Sequence, residues 1–234
     1  MNILSILSMY NIKLGYIDYI ELSLWIILCG VLIFGSISIL MKYRKTQISL
    51  FLIYAIVCIF FLIARILRIY LKFFIGERSE RVPYPPDVLI LRILIAIFNN
   101  LSLFLLYFDL EKKQIKKSHY AFSIMVWVQL TLIILEAITR DILIRIILII
   151  VYIIVVAGLP LMYFYIGIKA KGNLRTRAIM IGIGISLVIL SIAMDQPVGE
   201  IVFSGILEII RDVFIPSIYI IGMLFLIYGL GKAQ

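Results

Sequence analysis

Of the 234 residues, 64% are hydrophobic and only 15% are charged, and the mean hydropathy is +1.17. A water-soluble domain cannot keep so many apolar side chains away from water, so the solvent for this chain is a lipid bilayer. The formal net charge of +9 does not indicate a nucleic-acid partner, because the cations lie in short stretches between apolar runs and form no continuous basic face.

One crossing of a bilayer takes about 20 apolar residues. Seven runs satisfy that length, at roughly 20–41, 48–72, 88–109, 119–139, 143–167, 177–194 and 206–230. They predict an all-α polytopic membrane protein, a bundle of seven transmembrane helices. The loops between them are short, so consecutive helices should be antiparallel neighbours. Residues 1–18 are apolar but lack a basic start and a small-residue cleavage site. They are expected to form a short extracytoplasmic, interfacial segment ahead of a single domain spanning 19–234.

Basic residues concentrate in alternate loops: Lys42, Arg44 and Lys45; Lys112, Lys113, Lys116 and Lys117; Lys169, Lys171, Arg175 and Arg177; and finally Lys232. The loops between these mix signs, as at Glu77, Arg78, Glu80, Arg81 and Asp87. The positive-inside rule then predicts an N-out, C-in multi-pass protein of the cell membrane. The basic loops are expected to contact anionic lipid headgroups. The Ile- and Lys-rich usage points to an AT-rich prokaryotic genome.

Polar residues within the spans are costly there and therefore informative. The second run carries Tyr54, Cys58, Phe61, Arg65, Arg68 and Lys72 on one helical face. The third has Arg92, Asn99, Asn100 and Tyr107, the fourth Gln129, Glu136 and Arg140, and the fifth Arg145 and Tyr152. The seventh has Glu208, Arg211, Asp212 and Tyr219. The charges share one depth, the outer third. Six arginines there (Arg65, Arg68, Arg92, Arg140, Arg145 and Arg211) face three acids, Glu136, Glu208 and Asp212. Guanidinium groups pair with carboxylate or phosphate, so the surplus predicts an outer-half pocket for an anionic small molecule or a lipid headgroup. Its expected residues are Arg65, Arg68, Arg92, Asn99, Glu136, Arg145, Tyr152, Glu208, Arg211 and Asp212. The competing reading is that arginines near a helix end snorkel to the interface.

The inner half reads as apolar apart from Asn99, Asn100 and scattered tyrosines and serines. Ala178, Gly182 and Ser186 form a small-residue seam for close helix packing. Pro160 and Pro216 should kink the fifth and seventh helices. Pro83-Tyr84-Pro85-Pro86-Asp87 reads as a stiff loop leading into a helix start.

Several chemistries are excluded. None of the eleven lysines lies mid-span, which removes a retinal Schiff base. Cys29 and Cys58 read as packing residues, and the lone His119 is insufficient for a histidine-rich metal or bis-histidine haem site. No Gly-rich phosphate loop, HExxH, CxxC or GxSxG is present. No cofactor is expected, and no nucleophile or base stands out for an enzyme beyond the carboxylates.

The count and orientation are similar to those of seven-helix receptors and of the sensor modules of prokaryotic histidine kinases. They also resemble the three-plus-one-plus-three layout of SWEET sugar transporters, with Ile90-Leu91-Arg92 echoed by Ile209-Ile210-Arg211, but the Pro-Gln dipeptide of that family is absent. The first expectation is a receptor-like or sensor-like protein that signals to a separate cytoplasmic or membrane partner. A small transporter or channel is the alternative, and a membrane enzyme or complex subunit the third.

Overall fold

A computed structural model describes residues 16–75, 85–113, 119–194 and 208–231. They fold into seven helices: α1 (Tyr16–Thr46), α2 (Ser49–Ile69), α3 (Pro86–Lys113), α4 (Ala121–Thr139), α5 (Ile142–Lys169), α6 (Asn173–Met194) and α7 (Glu208–Gly231). All seven are long and apolar enough to cross a membrane. Residues 1–15, Pro83 and Tyr84, and Lys116, Lys117 and Lys232 lie outside the described residues, and with them most of the expected interfacial segment.

The turns explain why neighbours run antiparallel. Between α1 and α2 the chain reverses within two residues, with Gln47 in the left-handed region (φ +56°) and its N–H donating to Tyr43 O at 2.7 Å. At the α4–α5 turn, Arg140 (φ +56°) donates to Glu136 O, and Asp141 Oδ1 accepts from Leu143 N–H at 2.8 Å. One helix is thus closed and the next capped by adjacent residues. Gly172 (φ +61°) serves the α5–α6 turn, where a residue without Cβ adopts that conformation freely.

Each helix packs on its sequence neighbours, and α7 returns to pack on α1. The seven therefore form a closed ring in chain order. Residues such as Phe34, Ile138 and Ile168 point outward with most of their surface free, as lipid-facing positions require. Because lipid is as apolar as leucine, helix association here rests on close packing and interhelical hydrogen bonds. The α6–α7 contact uses both. A Cβ built at Gly184 would lie 2.7 Å from Gly222 O, and Ser191 donates to Ile215 O at 2.8 Å.

Several helices run a few residues beyond the apolar runs read from the sequence, the first to Thr46 and the sixth from Asn173 among them. The second span extends through a π-helical segment, Tyr70–Ile75, and the third continues past residue 109 to Lys113. Hydropathy cannot follow a helix once charged residues face its own bundle. The seam of Ala178, Gly182 and Ser186 includes a close helix contact, and α6 has a second, tighter one on another face. Gly182 faces Tyr163 and Phe164 of α5, whereas the backbone-to-backbone contact is made by Gly184, on the face toward α7. Both α5 and α7 continue as helices through Pro160 and Pro216.

Candidate functional site

At the end of the bundle remote from the basic loops, three helices contribute to one polar junction. Lys72, in the π-helical segment after α2, lies 2.6 Å from Glu21 Oε1 of α1 and 3.4 Å from Asp212 Oδ1 of α7. Glu21 is 2% exposed and also accepts from Trp25 Nε1 at 3.0 Å. Two turns below Lys72, Arg65 is buried, with its guanidinium 5.5 Å from the Trp25 ring centroid and 4.8 Å from that of Tyr219. Cation–π contact with rings from α1 and α7 holds this charge across the seam where the ring closes.

The other expected site residues separate into groups. The Nε atoms of Arg65, Arg68 and Arg92 are all buried; Arg65 is buried as a whole, and Arg68 and Arg92 are half-buried. Asn99 Oδ1 and Asn100 Oδ1 are buried with no hydrogen-bond donor among the described residues, while Asn100 Nδ2 donates to Ala96 O at 2.9 Å. Tyr152 is half-buried on α5. Glu136 does not reach the deep arginines. It takes two hydrogen bonds from Arg145, at 2.9 and 2.6 Å, and the Arg145 side chain is 54% exposed. That pair bridges α4 and α5 on the periphery. Asp212 is engaged by Lys72. Glu208 and Arg211 fall on the first turn of α7, and their side chains lie outside the described residues.

Glu21 and Lys72 were not among the expected site residues. Lys72 reads from the sequence as the outer end of the polar face of the second run, and Glu21 is not singled out there. Their signals were the four-residue spacing of Glu21 and Trp25 and the seven-residue spacing of Arg65 and Lys72, each of which puts two polar groups on one face.

The basic end is also less apolar than expected. Asp109 forms an ion pair with Lys113, whose Nζ also donates to Ser49 Oγ at 3.2 Å. Tyr54 and Tyr163 share a hydrogen bond between α2 and α5. Above them a cavity of about 520 Å³ opens inside the ring, between the α1–α2 turn, α2, α3, α5, α6 and the end of α7. Nearby, the buried Glu111 carboxylate accepts from the N–H groups of Phe122 and Ser123, both at 3.0 Å, and from Ser123 Oγ. It thereby supplies the anion at the start of α4. Tyr107 of α3 stacks on Phe122 and donates to Val155 O of α5, and Gly158 provides the space, since a Cβ there would meet both rings.

No family model, curated protein or solved structure matches this chain. The fold itself defines a multi-pass integral membrane protein built as a seven-helix bundle. It has a charged three-helix junction at one end and an open cavity at the other.

Proposed function

We propose that this is a receptor-like or sensor-like membrane protein whose non-basic end takes the anionic group of a small molecule or lipid headgroup at Arg65, Arg68 and Arg92. The observation that carries this reading is the burial of all three Nε atoms on the adjacent helices α2 and α3. Three guanidinium groups gathered on neighbouring helices at one end of the bundle make a positive field that an anionic group complements. Arg65 also touches α1 and α7 through Trp25 and Tyr219. An anion that draws Arg65 toward Arg92 therefore shifts α2 against the seam of the ring. Rigid helices transmit such a shift to the basic loops, where a separate protein partner would read it.

The test is native mass spectrometry of the purified chain and of its Arg65→Gln and Arg92→Gln variants. A bound anion or lipid present on the parent and lost from both variants is the expected result. Variants that keep the same bound species and the same thermal stability would overturn the proposal. A transporter is the second reading, favoured by the cavity at the basic end, which opens a mostly apolar space, with Asp109, Lys113 and Arg177 among its walls, in the inner half of the bundle. Flux of a bound anion into proteoliposomes would select it.

A further inference from the structure

We propose that the cavity at the basic end binds a compact, neutral and mainly apolar molecule with a ring skeleton, which enters between the helix ends. This site is separate from the arginines at the other end and does not rest on that reading.

The polar groups of the walls already answer one another. Tyr54 and Tyr163 share their hydrogen bond. Asp109 is ion-paired with Lys113, whose Nζ also donates to Ser49 Oγ. All five of these side chains line the cavity. A ligand lying beside them meets no unmet donor or acceptor that it must satisfy. An ionised ligand would give up its hydration there and gain no counter-charge that is not already engaged. Arg177 also lines the space, but it is half-buried in the second turn of α6, three residues from the exposed Leu174, and so belongs to the rim. The rest of the wall is apolar, with Leu50, Phe51, Leu110, Ile166 and Ile181 as its main surfaces. Such a lining selects by shape and apolar area.

Depth and volume then give the shape. The lining runs from Ile48 to Tyr54 along the start of α2 and from Leu174 to Ile181 along α6, so at 1.5 Å per residue the cavity is about 10 Å deep. A space of about 520 Å³ falls in the range of about 300–1,000 Å³ typical of small-molecule sites. Over that depth it leaves a mean section of about 50 Å². This is too shallow for a long hydrocarbon chain and too broad for one extended chain to fill. A short, broad, apolar space is the complement of a ring system. The mouth lies at the helix ends, where Gln47, Ile48, Ser49, Lys113 and Leu174 are exposed. Ile48 and Leu174 give an apolar molecule a place to land within a loop region that is otherwise charged.

The experiment uses the full chain in a neutral detergent and two photoreactive probes that differ in charge, (trifluoromethyl)diazirinyl benzyl alcohol and the corresponding benzoate. Labelled residues are located by peptide mass spectrometry. The neutral probe should label Leu110, Ile166 or Ile181 in a saturable way, and excess borneol should protect them. The benzoate should need at least about tenfold higher concentration for the same labelling. Borneol should protect better than decanol, which carries as many carbons in a single chain. Ile166→Trp places an indole in the cavity and should remove labelling at Leu110 and Ile181, while labelling at outward residues such as Ile153 and Leu161 persists. Neutral-probe labelling confined to outward residues, or wall labelling that rises without saturating, would overturn the site. Benzoate labelling the walls as readily as the alcohol would overturn the neutral ligand, and equal protection by decanol and borneol would overturn the compact one. If Ile166→Trp does not fold, saturation and protection on the unaltered chain decide the matter.

Discussion

Gly184 and Gly222 face each other backbone to backbone: a Cβ added at either would come within 2.7–2.8 Å of the other's carbonyl oxygen. Neither side of this contact is a flexible side chain that could turn aside. Gly184→Ala and Gly222→Ala should each destabilise the bundle by about 1–3 kcal/mol, the usual cost of overpacking. Gly30→Ala is the control, since a Cβ there meets nothing within 4 Å. It should be neutral or stabilising by up to about 1 kcal/mol through helix propensity. Thermal unfolding of the three variants in one detergent checks the order.

The junction of Glu21, Lys72 and Asp212 yields a prediction about sign. Lys72→Met leaves the buried Glu21 without its cation and should destabilise by about 1–3 kcal/mol. Adding Glu21→Gln should recover part of that loss, because a neutral amide no longer needs a counter-charge. Arg145→Gln, which breaks the exposed pair with Glu136, should cost less than about 1 kcal/mol. A double variant no better than Lys72→Met would show that the two side chains are not coupled.

Glu111 is expected to matter as much as a core residue. Its carboxylate answers two backbone amides and a hydroxyl at the start of α4. Glu111→Ala strands those donors in a buried place and should cost about 1–3 kcal/mol. Faster hydrogen exchange at Phe122 and Ser123, with α6 unaffected, is the local signature to seek.

Orientation can be tested directly. With Cys29 and Cys58 replaced, a cysteine at position 79 should react with an impermeant maleimide added outside intact cells, and one at position 114 should not. The opposite pattern would reverse the assignment of the basic end to the cytoplasm.

The fold was legible because bilayer thickness sets a length that seven apolar runs meet, and because turns of a few residues allow only antiparallel neighbours. The partners of the charges were much less so. A helical face can be read from spacing, which is how Arg65 and Lys72 fall together, but the helix opposite that face cannot. Hence Glu136 looked like a counter-charge for the deep arginines, although it is bound to Arg145 across the α4–α5 turn. Likewise spacing makes Ala178, Gly182 and Ser186 legible as a packing seam, but not the contact of Gly184 with Gly222, because its second half lies on another helix. The third run reads as ending at 109, short of Glu111, because a carboxylate lowers hydropathy whether it faces water or, as here, the protein's own lysine and amides.

Closure of the ring by α7 has a consequence for biogenesis. Translation delivers α1 and α2 to the membrane first, with Glu21, Arg65 and Lys72 already in place, and delivers Asp212 and Tyr219 only with the seventh helix. Until then the growing chain is an open arc whose charged edge has no α7 to cover it, and such unfinished surfaces are where membrane insertases, chaperones and proteases act. A ribosome stalled after α6 would therefore leave a species that differs from the finished protein in how long it survives.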